Sequence, residues 1–334
     1  MAHELTRNLN GEYEMAYFGA TPWHRLGQAL AAEATSQQII EAARLDWAVE
    51  LQPVYRVTGA WQGDHQLVVV PGVKAVVRTD NLATLGTVSD RYKVVQNREA
   101  FELMDAVIGE SGAFYHTAGS IRGGQKVWAL AKLPDTLMAG HDAVDQYLLM
   151  VSDHTGRAAL HLRFVGIRVV CANTLGAAMA REAKHQCSVI HSGNITRQVA
   201  EVRKALGLAK TYFGELSQDI QFLTSRQITD LQMRGYAQSV FPITAVMPED
   251  EQDRWSRVHQ VLAGLFRTGR GNDVQPTAGT PWAAYNAVTE YLDHVAARTS
   301  KGTRRAGADE AVLFGRGLKI KDRAWGKALE LVNG

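Results

Sequence analysis

The chain has 334 residues, 46% hydrophobic and 21% charged, the balance of an ordinary globular protein with a sizeable core rather than a disordered one. Its 36 Lys and Arg against 34 Asp and Glu leave a net charge of +2, so bulk charge does not by itself select a polyanionic partner. Cys171 and Cys187 are the two cysteines; they make neither a disulfide framework nor a cysteine zinc site. Absence of a long apolar run predicts no membrane span and no signal peptide, and therefore a cytoplasmic protein.

In chain order, residues 1–35 read as an irregular segment. Ser36 is placed to cap a helix over 37–44. β-branched runs then predict strands over 54–58, 66–70, 74–78 and 86–95, with turns at Gly63-Asp64 and Pro71-Gly72. Asn97 is expected to cap a helix over 98–108. Two hairpins follow: 114–121 with 126–133 around Arg122-Gly123-Gly124-Gln125, and 147–152 with 157–169 around Asp153-His154-Thr155-Gly156. Beyond Gly176 the period becomes helical, over about 194–222, 229–240, 250–267, 281–297 and 309–331. Trp255, Trp282, Tyr285, Tyr291 and Trp325 fall on those helices and read as core. Strands segregated from helices predict an α+β fold: an N-terminal antiparallel β-rich core with a central helix (36–190), then a mostly helical C-terminal part (191–334) packed on the core or on a neighbouring subunit.

Charge is unevenly distributed. Residues 115–204 carry 11 Lys and Arg against 6 acids, 215–253 carry 2 against 7, and 298–327 carry 9 against 3. Side chains alternate across a strand, so Lys126, Trp128, Leu130 and Lys132 share one side while Val127, Ala129, Ala131 and Leu133 share the other. The same rule groups Arg157, His161 and Arg163, and separately Arg91 and Lys93. Cations that neutralise phosphates, beside an aromatic ring on which bases stack, are what a single-stranded nucleic acid needs. The plain alternative is an antiparallel sheet with one solvated side. Arg122, in the Gly-rich turn, joins the candidate set because bare backbone amides there would meet phosphate.

No phosphate-binding loop, dinucleotide fingerprint, zinc-protease helix or nucleophile elbow is present, so no enzyme, cofactor or metal is expected. His141, Asp142 and Asp145 would make a metal site only if they converged in space. A Cys171–His161 nucleophile pair lacks an orienting acid. A nuclease or hydrolase is thus the third reading.

Several stretches, Trp23 to Gly27, Leu85 to Asn97, Gly119 to Trp128, Phe164 to Leu175 and Leu313 to Gly315, resemble a bacterial and phage family known only as phage- or plasmid-like proteins. The order of hairpins, a helix entered through Tyr92-Lys93-Val94-Val95-Gln96-Asn97, and a Gly-rich hairpin turn is also similar to the core of single-strand annealing proteins (the RecT, Red-beta and Erf group). That resemblance implies a ring- or filament-forming homo-oligomer that holds single-stranded DNA in a basic groove and anneals complementary strands during phage or plasmid recombination, in a bacterial cytoplasm, without cofactor chemistry. Arg91, Lys93, Lys126, Trp128, Arg157 and Arg163 would line the groove. The competing expectation is an accessory protein that binds a host protein, for example to block a defence system.

Overall fold

A computed structural model describes residues 5–19, 26–59, 65–158, 160–168, 173–175, 186–189, 195–296 and 316–333. The fold is α+β: two sheets in the N-terminal half, then a mostly helical C-terminal part. The larger sheet runs β10 (Asn173–Leu175), β9 (Leu160–Arg168), β8 (Asp142–Asp153), β7 (Lys126–Ala139), β6 (Phe114–Ile121), β1 (Met15–Phe18) and β2 (Gln28–Leu30), with β11 (Gln186–Val189) also paired to β9. All its pairings are antiparallel except β1 with β2. The smaller sheet is β3 (Val49–Thr58), β4 (Gln66–Arg78) and β5 (Thr84–Ser89).

Several expected elements take a different form. The stretch read as irregular supplies β1 and β2 to the large sheet's edge, and β11 adds, within the 36–190 core, a strand past Gly176 where none is expected. Pro71-Gly72 is not a turn: β4 runs through it, and between Pro53 and Tyr55 the register shifts. Pro71 has no amide to donate and falls where β4 has no partner. β5 ends at Ser89, because the Tyr92 N–H turns back to the Ser89 carbonyl (3.1 Å).

α1 (Ser36–Ala42) is capped by Thr35, whose side chain and that of Gln38 form a reciprocal box, so the cap lies one residue before Ser36. α2 (Asn97–Ser111) has Gln96 at its N-cap and Gly112 at φ 68° at its end. α3 (Ile195–Thr224), α4 (Asp230–Val240), α5 (Glu249–Thr268), α6 (Pro281–Glu290, continued as one π-turn over Tyr291–Val295) and α7 (Arg316–Asn333) follow.

Val127, Ala129 and Ala131 of β7 are wholly buried, as their alternation predicts, against Phe101 and Met104 of α2 and the chain of buried residues that continues through Tyr212 and Phe213 of α3. α3 contacts both β7 and α2, so the helical part packs on its own chain's sheet. The same core continues into α6 and α7, where Trp282, Tyr285 and Trp325 are buried and meet edge to face. Trp255 and Tyr291 pack at its margin.

The two sheets are joined by one buried cation. Arg78, at the end of β4, is fully buried and donates all five N–H groups: Nη2 to Glu14 (2.8 Å) and Asp80 (2.6 Å), Nη1 to Glu14 (3.3 Å) and the Gly123 carbonyl (3.1 Å), Nε to Asp80 (2.9 Å). Its guanidinium lies 4.0 Å from the Trp47 ring, and the Ser120 hydroxyl also donates to Glu14, at the Oε2 that accepts from Arg78 Nη1. Burial opposes the Arg78 charge, but hydrogen bonds and charge from Asp80 and Glu14 outweigh it and raise its pKa.

Candidate nucleic-acid interface

The residues predicted to bind nucleic acid divide into two groups. On the strand face, Lys126, Trp128, Leu130 and Lys132 share a side of β7, as expected. That side is not an open groove: Trp128, Leu130 and Ile167 pack on a second apolar cluster of buried Tyr147, Leu149, Val151 and Val165. Trp128 covers Gly119, where an added Cβ would lie 3.1 Å from the ring.

The cations on this face already face acids. Lys132 is 2.7 Å from Asp145 and Lys126 is 4.0 Å from Asp153, both acids contributed by β8. Arg163 is half-buried beside Asp322 of α7; burial lowers its pKa while Asp322 pulls the other way. Burial likewise lifts Asp322 to about 7, against Arg163 and Lys321. His161 is half-buried, its pKa lowered by burial and then by Arg163. The strand face is therefore a neutralised, partly dry surface rather than a row of free phosphate donors.

The second group gathers at one end of the sheet. Lys126 pairs in register with both Ile121 and Asp153, so the β6–β7 turn and the β8–β9 turn lie side by side. The His154 N–H donates to the Gln125 carbonyl (2.8 Å) and Gln125 Nε2 to the Leu85 carbonyl (3.2 Å), which ties β5 to both turns. The fit is close: a Cβ on Gly86 would lie 2.5 Å from the Thr155 carbonyl oxygen. Arg91 and Lys93 leave β5 at this end, in the turn and the segment after it rather than on a strand, and Arg157 lies in the β8–β9 turn, before β9 begins at Leu160. Strand alternation therefore does not hold for these three, because it presupposes an extended strand. Arg91, Lys93, Arg122 and Arg157 are all exposed, and among the described residues no ion pair engages Arg91, Lys93 or Arg157. Tyr92 sits half-buried between the first two, close enough to Asp153 for the acid to add to the upward shift that burial gives its pKa. Asp90 is an exposed acid in the same turn.

In the Gly-rich turn the Gly124 amide is already engaged. Gly123 and Gly124 have φ of 69° and 97°, but the Gly124 N–H donates to Thr6 (3.1 Å) and the Gly123 carbonyl accepts from Arg78. A Cβ on Gly124 would meet Arg78 at 2.8 Å. Glycine is needed there for the inter-sheet network.

Nor do the metal candidates converge. Asp142 is buried and accepts from Trp282 Nε1 (2.9 Å), whereas Asp145, three residues on and across β8, pairs with Lys132. Cys171 and the Trp23-His24-Arg25 stretch lie outside the described residues. Among the described residues no helix is long and apolar enough to cross a membrane.

A family model described as "Domain of unknown function (DUF932)" matches residues 84–313. The chain belongs to the DUF932 family. The DUF932 span opens on β5 and includes both hairpin turns, so every cation of the rim falls inside it, while β3 and β4 precede it. No curated protein and no solved structure matches the chain.

Proposed function

We propose that this DUF932 protein binds single-stranded DNA without catalysing a reaction on it, along the rim formed by the β5 exit and the two hairpin turns, and that it acts as an oligomer to bring complementary strands together. One observation carries the reading: Arg91, Lys93 and Arg157 are exposed, free of ion pairs among the described residues, and gathered at one end of the sheet. Cations so placed release counterions from a phosphate backbone. Arg91 and Arg157 also present guanidinium forks that match phosphate geometry, and Tyr92 supplies an aromatic edge between two of the cations.

Fluorescence anisotropy of a labelled oligothymidine at increasing KCl tests this. Binding is expected to be tight at low salt and to fall linearly in log–log form with a slope of about −0.7 per phosphate contacted. No measurable binding at low salt overturns the proposal.

A further inference from the structure

The β3–β4 hairpin has a firm base and an exposed outer half. At the base, Val49, Val76, Val77 and Arg78 are buried, and Val49 exchanges two hydrogen bonds with the Gln96 side chain (3.0 and 2.9 Å). β5 pairs with β4 only from Val73 to Val77. Past the register shift at Pro53/Tyr55, the hairpin is a two-stranded ribbon, a form that is marginal in water by itself.

That ribbon is apolar where it is most exposed. Tyr55 pairs across the strands with Val69, and Val57 with Leu67, so the four share one face. They are 51%, 47%, 56% and 71% exposed respectively, and Val68 on the opposite face is 38% exposed. Among residues 51–59 and 65–73, Arg56 is the only Lys, Arg, Asp or Glu. Edge strands of soluble proteins are usually guarded by charge or covered. This one carries the single charge of Arg56, on the face opposite Tyr55 and Val57, and is not covered among the described residues: β3 has β4 as its one partner, and β4 has no neighbour but β3 along its outer half.

We propose that the outer half of this hairpin is a self-association surface, on which the Tyr55, Val57, Leu67 and Val69 face of one chain packs against the same face of a second copy. The lack of charge disfavours nucleic acid or a charged peptide as the occupant, since neither would find counter-charge. The area agrees with a second copy. The four side chains expose on the order of 400 Å² per chain, so a two-fold pairing buries on the order of 800 Å² from them alone, and the flanking ribbon brings it towards the ~1,200 Å² at which stable interfaces begin. An isologous contact of this kind closes on itself. It rests on the oligomer of the proposed function but not on the DNA-binding rim, since it uses none of the rim residues.

Light scattering on the full chain eluting from a size-exclusion column, with wild type beside Val57→Lys/Leu67→Lys, tests it. Both positions are exposed, so the far-UV circular dichroism spectrum should match that of the folded wild type, while the mass falls from that of a dimer to that of one chain. Val246→Lys, at a 92% exposed site elsewhere, should leave the mass unchanged. A wild type that is monomeric at all concentrations, or a double-lysine variant that keeps the wild-type mass, overturns the proposal. Anisotropy on the same samples keeps the two readings apart: a monomeric variant that still binds oligothymidine leaves the rim intact.

Discussion

Arg78→Ala is expected to lower the unfolding free energy by roughly 3–5 kcal/mol, because it strands a buried carboxylate rather than merely deleting a contact. Glu14 is fully buried, and with Arg78 gone its carboxylate keeps only the Ser120 hydroxyl as a donor among the described residues. The Gly123 carbonyl and the face of Trp47 lose their partner at the same time. Against a total stability of about 5–15 kcal/mol, this is a large share. Arg78→Lys should recover only part of it, since an ammonium cannot hold Glu14, Asp80 and Gly123 in one plane. Urea denaturation followed by circular dichroism reads the change; an unshifted midpoint in Arg78→Ala would mean that the two sheets do not depend on this cation.

Acid should remove the stability that a neutral, buried His154 contributes. This residue is 1% exposed, and its Nε2 lies 2.9 Å from Asn97 Oδ1. Asn97 Nδ2 is spent on the carbonyls of Leu45 (2.9 Å) and Trp47 (3.2 Å), so Asn97 offers an acceptor and His154 Nε2 carries the donated proton. Burial first, and Arg78 in addition, lower its pKa from 6.5 to about 4, with Asp153 opposing. A folded pKa below the unfolded one means that the unfolded chain binds more protons between the two values. Stability is therefore whole above pH 6.5 and is lost as pH falls towards 4, by on the order of 3 kcal/mol. Asp322, held near 7 in the fold, works in the opposite sense, costing stability as pH rises towards 7. The clean reading is thus a difference. His154→Gln keeps a donor for Asn97 but cannot be protonated, so the stability gap between it and wild type should change by on the order of 3 kcal/mol from pH 7 to pH 4. A gap that stays constant over that range would refute the assignment.

The sequence reveals what local rules govern and hides what distant partners decide. Val127, Ala129 and Ala131 read correctly as a buried face because alternation is a property of one strand. The opposite face was legible only as a set of residues. Alternation shows that Lys126, Trp128 and Lys132 share a side, but not that Asp153 and Asp145 of β8 stand across from the lysines or that Tyr147 and Val151 bury the space beside the indole. The sequence puts Arg91 and Lys93 on a strand over 86–95 because that stretch looks β-branched; the turn closed by Tyr92 on Ser89 ends it early. Asn97 was read as a helix cap, yet Gln96 takes that place and the Asn97 amide bridges Leu45, Trp47 and His154. β1 and β2 are too short to show a period, and the burial of Glu14 makes sense only beside Arg78, 64 residues later. The exposed hairpin face had a signal available: Leu67, Val68, Val69 and Val70 form an unbroken apolar run with no acid or base to guard it.

The most direct test of the rim sets two variants side by side in the same salt titration with oligothymidine. Arg91→Ala/Lys93→Ala/Arg157→Ala removes the free rim cations, and Lys126→Ala/Lys132→Ala removes the ion-paired strand-face cations. The rim variant should bind more weakly at low salt and lose about two units of salt slope, three phosphate contacts at about 0.7 each, while the strand-face variant keeps the wild-type slope. A rim variant that binds like wild type, while the strand-face variant loses both affinity and slope, would contradict the account and return the DNA to the sheet face.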